Sequence, residues 1–296
     1  MLAMSSPSAL RDESNDADFF CVAAKPTSVE NRFGLRSCRP RGQVSHCEYV
    51  VSPWATDTDG KVRAGALAVA ADHILGEVLF DRRPPRSWLL TTELTLDLMG
   101  EVASAAILEV DGSLVRLEHR GGFARCTLTD ADGAAVALAT TRGVYVPATP
   151  RQKQPKVKAN APELKAIAPV QKISASTLEE LLAVEGTTSA AGAQVHMADP
   201  SNWTNVWGIL HGGIWACLAE MAASLAVGHR NAGLSTARLH TTYLRPGAPG
   251  AAVTASARTY HVGGSLAVTE VLGHTAEGTL CTVSTVTARR VGEVVQ

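Results

Sequence analysis

One stretch of the chain combines residue types and spacings that could do chemistry. It runs Asn205-Val206-Trp207-Gly208-Ile209-Leu210-His211-Gly212-Gly213 and continues as GIWACLAEMAASLAV over 213–227, with Glu220 as the one ionisable residue of that run. A helix that is apolar nearly all round is buried. A carboxylate inside it is costly unless it is paired or hydrogen-bonded. The plain alternative, Glu220 on an exposed strip, is the weaker one given its apolar neighbours, although Glu is seldom fully buried without a partner. The Gly-Gly pair opening the helix leaves backbone N–H groups unpaired at the positive end of the dipole, where a developing oxyanion can be stabilised. Gly-Gly alone is an ordinary turn. With His211 in front of it, Asn205 six residues earlier and Glu220 nine residues after the His, the pattern points to a site.

A second apolar run, GALAVAADHILGEVL over 65–79, carries Asp72 seven residues after Gly65, as Glu220 stands seven after Gly213. Adjacent helical residues point about 100° apart, so Asp72 and His73 cannot form a mutual acid–base dyad. Asp72 is the chemical candidate, His73 a packing or surface residue, and Glu77, near the helix end, is expected to be exposed.

These runs head two similar halves. The first gives Gly65–Leu79, Leu89–Leu98, Ala105–Val110, a Gly121-Gly122 turn and Ala134–Val146. The second gives Gly213–Val227, Ser235–Leu244, Ala252–Arg258, a Gly263-Gly264 turn and Thr279–Ala288. Val253, Ala255 and Ala257 alternate with Thr254, Ser256 and Arg258, as a strand with one buried face requires. Turn signals at Asp132-Gly133 and Glu277-Gly278 precede the last strand of each half. Antiparallel strands with one long helix per half predict an α+β fold. Between the halves, TPRQKQPKVK over 149–158 with Pro162 and Pro169 reads as a linker. The expected organisation is a loose segment 1–27, a domain 28–148, a linker 149–170 and a domain 171–292.

Composition narrows the function classes. Among 296 residues, 27 Lys and Arg stand against 28 Asp and Glu, without the basic excess of a nucleic-acid binder. The two most apolar stretches, 64–79 and 212–227, both contain carboxylates and fall short of a membrane span of about 20 residues. Met1–Asp18 is polar and acidic, without the apolar core of a secretory leader. A cytoplasmic protein with no membrane or nucleic-acid partner is expected. The six cysteines form no CxxC pair, so zinc and dithiol chemistry have no motif. All six are expected to be reduced and structural.

At Asn205, His211, Gly212, Gly213 and Glu220 the chain resembles the PaaI-like hotdog-fold acyl-CoA thioesterases, in which an Asn or Gln precedes His-Gly-Gly and a helix bearing Asp or Glu. Thr241-Thr242-Tyr243-Leu244-Arg245-Pro246 resembles the family's next strand and its Tyr-Leu-Arg-Pro-like end. The resemblance is strong over 200–290 and continuous but weaker over 50–148, which implies a double hotdog. The first half departs from the pattern: 148 residues before Asn205, His211, Gly212 and Gly213 stand Asp57, Arg63, Ala64 and Gly65.

The resemblance implies hydrolysis of an acyl-CoA thioester, as in fatty acid metabolism, at a site between the halves, with no cofactor beyond the CoA of the substrate and no metal. Gly212 N–H is the implied oxyanion donor, Asn205 orients the carbonyl or water, and His211 fixes the turn. The acid facing the intact turn is expected to be Asp72, as general base or nucleophile, with Thr91 holding the water. Glu220 should face the decayed turn, with Ser224 and Thr236 around it in the corresponding places. Arg245 and Arg238 are the implied CoA-phosphate contacts, with Ser224 and Thr236 as further binding candidates. Trp203, Trp207 and Trp215 are candidates for the acyl pocket or for the core. Hotdog hydratases need a spaced Asp/His dyad, and none is found on either helix. Binding of acyl-CoA without hydrolysis is the alternative function. A homodimer of such chains is expected, because hotdog pairs commonly pair again.

Overall fold

The computed structural model describes residues 28–41, 44–102, 104–147, 174–205, 208–228, 230–231, 233–247 and 250–290. The expected loose segment 1–27, the linker 149–170, Trp207, Cys21 and the Cys38 side chain lie outside the described residues.

In the first half a short helix α1 (Val29–Arg32) precedes β1 (Leu35–Arg41) and β2 (Val44–Val50). Helix α2 (Ala64–Phe80) follows, then β3 (Ser87–Leu98), β4 (Ile107–Glu118), β5 (Gly121–Thr129) and β6 (Ala135–Pro147). The second half repeats this order: α3 (Leu178–Leu182), β7 (Val184–Ser189), β8 (Gly192–Met197), α4 (Gly212–Gly228), β9 (Ser235–Tyr243), β10 (Val253–Val262), β11 (Leu266–Thr275) and β12 (Leu280–Arg289). The two long helices have 17 residues each and start 148 positions apart.

All strands join one antiparallel sheet of 12 strands, ordered β1-β2-β4-β5-β6-β3-β9-β12-β11-β10-β8-β7. The order from β1 to β3 is the order from β7 to β9 read backwards, so the halves are related by a pseudo-twofold through the β3–β9 seam. There Leu94 faces Thr241 and Leu96 faces Leu239. Helix α2 lies against the first half's strands and α4 against those of the second.

The helices also pack on each other, antiparallel. A Cβ at Gly213 would stand 2.5 Å from the Val69 Cα, and one at Gly65 2.8 Å from the Cys217 Cα. The two glycines thus let the N-terminus of each helix touch the middle of the other at backbone distance, and Cys217 Sγ donates to Gly65 O at 2.7 Å. This contact brings chemistry from one half to the other.

Cys47, Cys126, Cys217 and Cys281 are free thiols. Burial pushes the Cys126 thiol up to about 12, far from reactive thiolate character. Two expectations are corrected. Gly121-Gly122 opens β5, and the turn lies at His119 and Arg120. A Cβ at Gly122 would stand 2.7 Å from Leu79 Cδ2, and one at its cross-strand partner Gly143 3.1 Å from Leu79 Cδ1. These glycines make room for a side chain of α2 and not for a turn. Glu77, expected on the surface, is fully buried and sits 3.0 Å from His73 Nε2.

The turns at Gly133 (φ +80°) and Gly278 (φ +82°) fall where the Asp-Gly and Glu-Gly signals put them. Among the described residues no helix is long and apolar enough to cross a membrane.

Candidate active site

The turn before α4 is held at both ends. His211 N–H donates to Trp203 O at 3.0 Å, Asn205 N–H donates to Ile209 O at 2.8 Å, and Tyr243 O–H donates to Gly212 O at 2.9 Å. Asp72 of α2 reaches this turn from the other half. Gly213 N–H is shared between Asp72 Oδ2 and His211 Nδ1, each at 3.0 Å. His211 Nδ1 and Asp72 Oδ2 are 3.3 Å apart. Thr91, one strand away on β3, donates to the other oxygen, Asp72 Oδ1, at 3.3 Å. A Cβ at Gly212 would meet Asp72 Oδ2 at 2.7 Å, so glycine there is a condition for the carboxylate to lie on the helix tip. Gly212 N–H makes no hydrogen bond among the described residues.

A cavity of about 260 Å³ opens on this cluster. Asp72, Thr91, Asn205, His211 and Gly212 line it, with Leu89, Leu90, Val144, Ile209 and Trp215 as apolar wall and Arg245 and Pro246 on its rim. An apolar cavity with a few convergent polar groups is the ordinary form of a small-molecule site. Gly76, one helical turn after Asp72, also lines it, and a Cβ there would meet nothing within 4 Å.

The corresponding place in the other half is filled. Arg63, at the position of His211, donates from Nε to Glu220 Oε2 at 3.1 Å and lies 2.9 Å from it through its terminal nitrogen. It also reaches Glu179 of α3 at 2.6 Å. Ser224 and Thr236 donate to Glu220 Oε1 at 2.8 and 3.2 Å. Burial opposes the Arg63 charge, but the two carboxylates outweigh it and raise its pKa further. Glu220 is 3% exposed with both oxygens engaged, the condition under which a buried charge is tolerated.

Thus Asp72, Thr91, Asn205, His211, Gly212 and Gly213 are brought together, and Glu220 is not among them. Of the residues expected to bind CoA, Arg245 is at the cavity, donating to Leu280 O at 3.2 Å. Arg238 lies outside the cavity lining and pairs with Asp97 at 3.5 Å, and Ser224 and Thr236 serve Glu220. Trp215 lines the cavity, whereas Trp203 stacks edge-on against Phe33 in the core at 5.9 Å. The absence of an Asp/His dyad holds only within each helix: across the halves, Asp72 and His211 form one.

Sequence reasoning missed Glu30. It is 5% exposed on α1, with Oε1 3.6 Å from His211 Nε2 and 3.4 Å from His73 Nδ1. Burial opposes its charge, yet the two imidazoles hold its carboxyl well below the usual range. His211 is the converse case: burial works against its proton, but Glu30 and Asp72 prevail and raise its pKa. No spacing in the chain could have signalled this group, since 181 residues separate Glu30 from His211.

Residues 208–282 match the family model of the thioesterase superfamily. No curated protein matches the chain in sequence. Among solved structures, an acyl-CoA thioesterase II of Mycobacterium marinum is similar with a TM-score of 0.60 at 12% identity, covering 90% of this chain and 98% of that one. A 12:0-ACP thioesterase of Umbellularia californica gives 0.56 at 11% identity over 84% and 95% of the two chains. A hotdog-fold protein of unknown function from Alicyclobacillus acidocaldarius gives 0.57 at 14% identity over 90% and 98%. At these identities the structures speak for the fold alone. The family match is thus confined to 208–282, and over the chain as a whole the likeness to these structures shows a hotdog fold.

Proposed function

We propose that the chain is a double hotdog of the PaaI-like type, with units at about 28–148 and 171–292, that hydrolyses an acyl-CoA thioester at one composite site. The observation that carries this is the position of Asp72, which places a carboxylate of the first half 3.0 Å from the backbone N–H at the tip of the second half's helix. In the proposed reaction the acyl group enters the apolar cavity and the thioester carbonyl lies against the start of α4. Gly212 N–H, which makes no hydrogen bond among the described residues, stabilises the oxyanion. Asn205 orients the carbonyl. Asp72 either removes a proton from water held by Thr91, whose hydroxide adds to the carbonyl and expels CoA thiolate, or attacks the carbonyl itself, expelling CoA thiolate and leaving a mixed anhydride that water then splits. Both routes end in free acid and CoA thiol. Arg245, at the rim, fits a CoA phosphate. The expected setting is the cytoplasm and fatty acid metabolism.

The Asp72–His211 pair favours one second reading, hydration of an enoyl thioester. It is the weaker one, because the Nδ1 edge of His211 already meets Asp72 and Gly213 N–H, and its Nε2 edge faces Glu30. Thiol release from a panel of acyl-CoAs, run beside loss of enoyl absorbance, separates the readings. Thiol release from saturated acyl-CoA supports hydrolysis. Acyl-CoA binding without release leaves a binding protein, and loss of enoyl absorbance without release makes the chain a hydratase.

A further inference from the structure

Five buried ionisable groups form a continuous row that ends at the composite site. Glu77 Oε1 is 3.0 Å from His73 Nε2, His73 Nδ1 is 3.4 Å from Glu30 Oε1, the same oxygen is 3.6 Å from His211 Nε2, and His211 Nδ1 is 3.3 Å from Asp72 Oδ2. All five are no more than 9% exposed. Glu30 stands in the middle, on a helix of four residues that could not hold it there unaided. The holding comes from both halves. Ser28 caps the helix at 3.2 Å, Phe33 packs edge-on against Trp54 at 5.2 Å and Trp203 at 5.9 Å, and Arg32 lies over the Trp203 ring at 5.2 Å.

We propose that Glu30 is a positioning residue of the composite site, holding the Nε2–H edge of His211 so that the Nδ1 edge stays turned on Asp72 Oδ2. This rests on the reading of Asp72 as the acting carboxylate. The physical reason is that an imidazole has two distinct nitrogens, and the partner of one decides what the other does. With the Glu30 carboxylate 3.6 Å from Nε2, a proton there is favoured and Nδ1 is the edge that gains or loses one. When protonated it donates to Asp72 Oδ2, and when neutral it accepts from Gly213 N–H. In the protonated form Oδ2 is anchored by both Nδ1–H and Gly213 N–H, and Oδ1, held by Thr91, is the oxygen that acts; in the neutral form Nδ1 competes with Oδ2 for the Gly213 N–H.

The protonated form binds Asp72 more firmly, and Glu30 favours it. The groups facing His211 are Glu30 from α1 and Asp72 and His73 from α2, with Glu77 behind His73. Tyr243 from β9 and Arg245 border the same cavity. Removing the Glu30 charge takes away the partner of Nε2 and leaves the others in place.

Two measurements test the proposal. The first needs no substrate: histidine-ring NMR of the wild-type chain, with the His211 signal assigned by its loss in His211→Asn. His211 is expected to keep its proton above the ordinary histidine value of about 6.5 and to carry Nε2–H when neutral. In Glu30→Gln the His211 titration moves to lower pH. The second is thiol release as a function of pH. Glu30→Gln is expected to lower kcat about 10- to 100-fold, as loss of a buried charged partner would, with KM little changed and the alkaline limb moved to lower pH. Glu30→Asp should recover part of both.

An unchanged His211 titration and an unchanged alkaline limb in a folded Glu30→Gln would overturn the proposal, as would a wild-type His211 that is neutral with its proton on Nδ1. If Glu30→Gln does not fold, the wild-type spectrum and Glu30→Asp decide. If the NMR result holds and no acyl-CoA is cleaved, it is the hydrolytic reading that fails.

Discussion

The turns before α4 and before α2 occupy equivalent places, and each receives a carboxylate from the middle of the other half's helix. At the first, His211 and two glycines meet Asp72 beside an open cavity. At the second, Arg63, Ala64 and Gly65 meet Glu220 with its oxygens engaged. Even the supporting acids correspond, Glu30 from α1 standing by His211 and Glu179 from α3 by Arg63. The architecture therefore delivers a carboxylate to a helix tip twice. What differs is the side chain at the turn. A histidine leaves the carboxylate beside an open cavity, and an arginine converts the same place into a buried ion pair.

The largest effect on stability is expected at the closed place. Arg63→Ala leaves Glu220 buried with Ser224 and Thr236 as its remaining partners, and loss of one member of a buried pair costs about 3–5 kcal/mol. Chemical denaturation should show this, while thiol release at low temperature persists. A stable Arg63→Ala protein without activity would mean that the chemistry belongs to the Glu220 side.

At the open place, Gly212→Ala introduces the residue already present as Ala64. Its Cβ would press on Asp72 Oδ2 at 2.7 Å, displacing the end of a side chain and not backbone. Folding should survive and kcat should fall about 100-fold, the scale of losing one oxyanion donor geometry.

Gly76→Ser copies Ser224 into the open half, where Ser224 donates to Glu220 at 2.8 Å. A hydroxyl donating to Asp72 and occupying the cavity should cost about two- to tenfold in kcat/KM. Increased activity would show that the comparison between Gly76 and Ser224 is misdrawn.

The smallest effect concerns pH. His211 has its pKa raised in the folded chain, so its contribution to stability is complete below the ordinary value of 6.5 and is lost as pH rises through the raised one. Glu30 has its pKa lowered, so its contribution is complete above 4.5 and is lost as pH falls through the lowered one. Stability should therefore ease off on both sides of that interval. Thermal melts of His211→Gln should lack the alkaline decline. The Arg63–Glu220 pair should add nothing to it, since the pKa of Arg63 is driven upward.

Much of this was legible in the sequence, for local reasons. The two long helices announce themselves as apolar runs, and the equal seven-residue spacing to Asp72 and Glu220 survives because helix geometry fixes where a mid-helix acid lies. An acid two turns along its own helix is about 10 Å from that helix's tip, so the pairing across halves also followed from spacing. What was not legible depends on contacts distant in the chain. Glu77 looked exposed because it stands near the end of its helix, where the local pattern does not show what packs over it. Glu30 was invisible because its helix is too short to show a period and takes its place from Trp54 and Trp203. Gly121 and Gly122 imitate a turn because close approach to a helix side chain also selects glycine. Strands β1, β2, β7 and β8 went unread, being short and half polar.

The central claim is that the intact turn works with the acid of the other half. It is tested most directly by thiol release from the best acyl-CoA of a panel, comparing Asp72→Asn with Glu220→Gln at matched folded fraction. The expected result is a loss of at least about 1,000-fold in kcat for Asp72→Asn, with acyl-CoA still bound, and a change of only a few-fold for Glu220→Gln. Activity that survives Asp72→Asn and vanishes in Glu220→Gln would contradict the account.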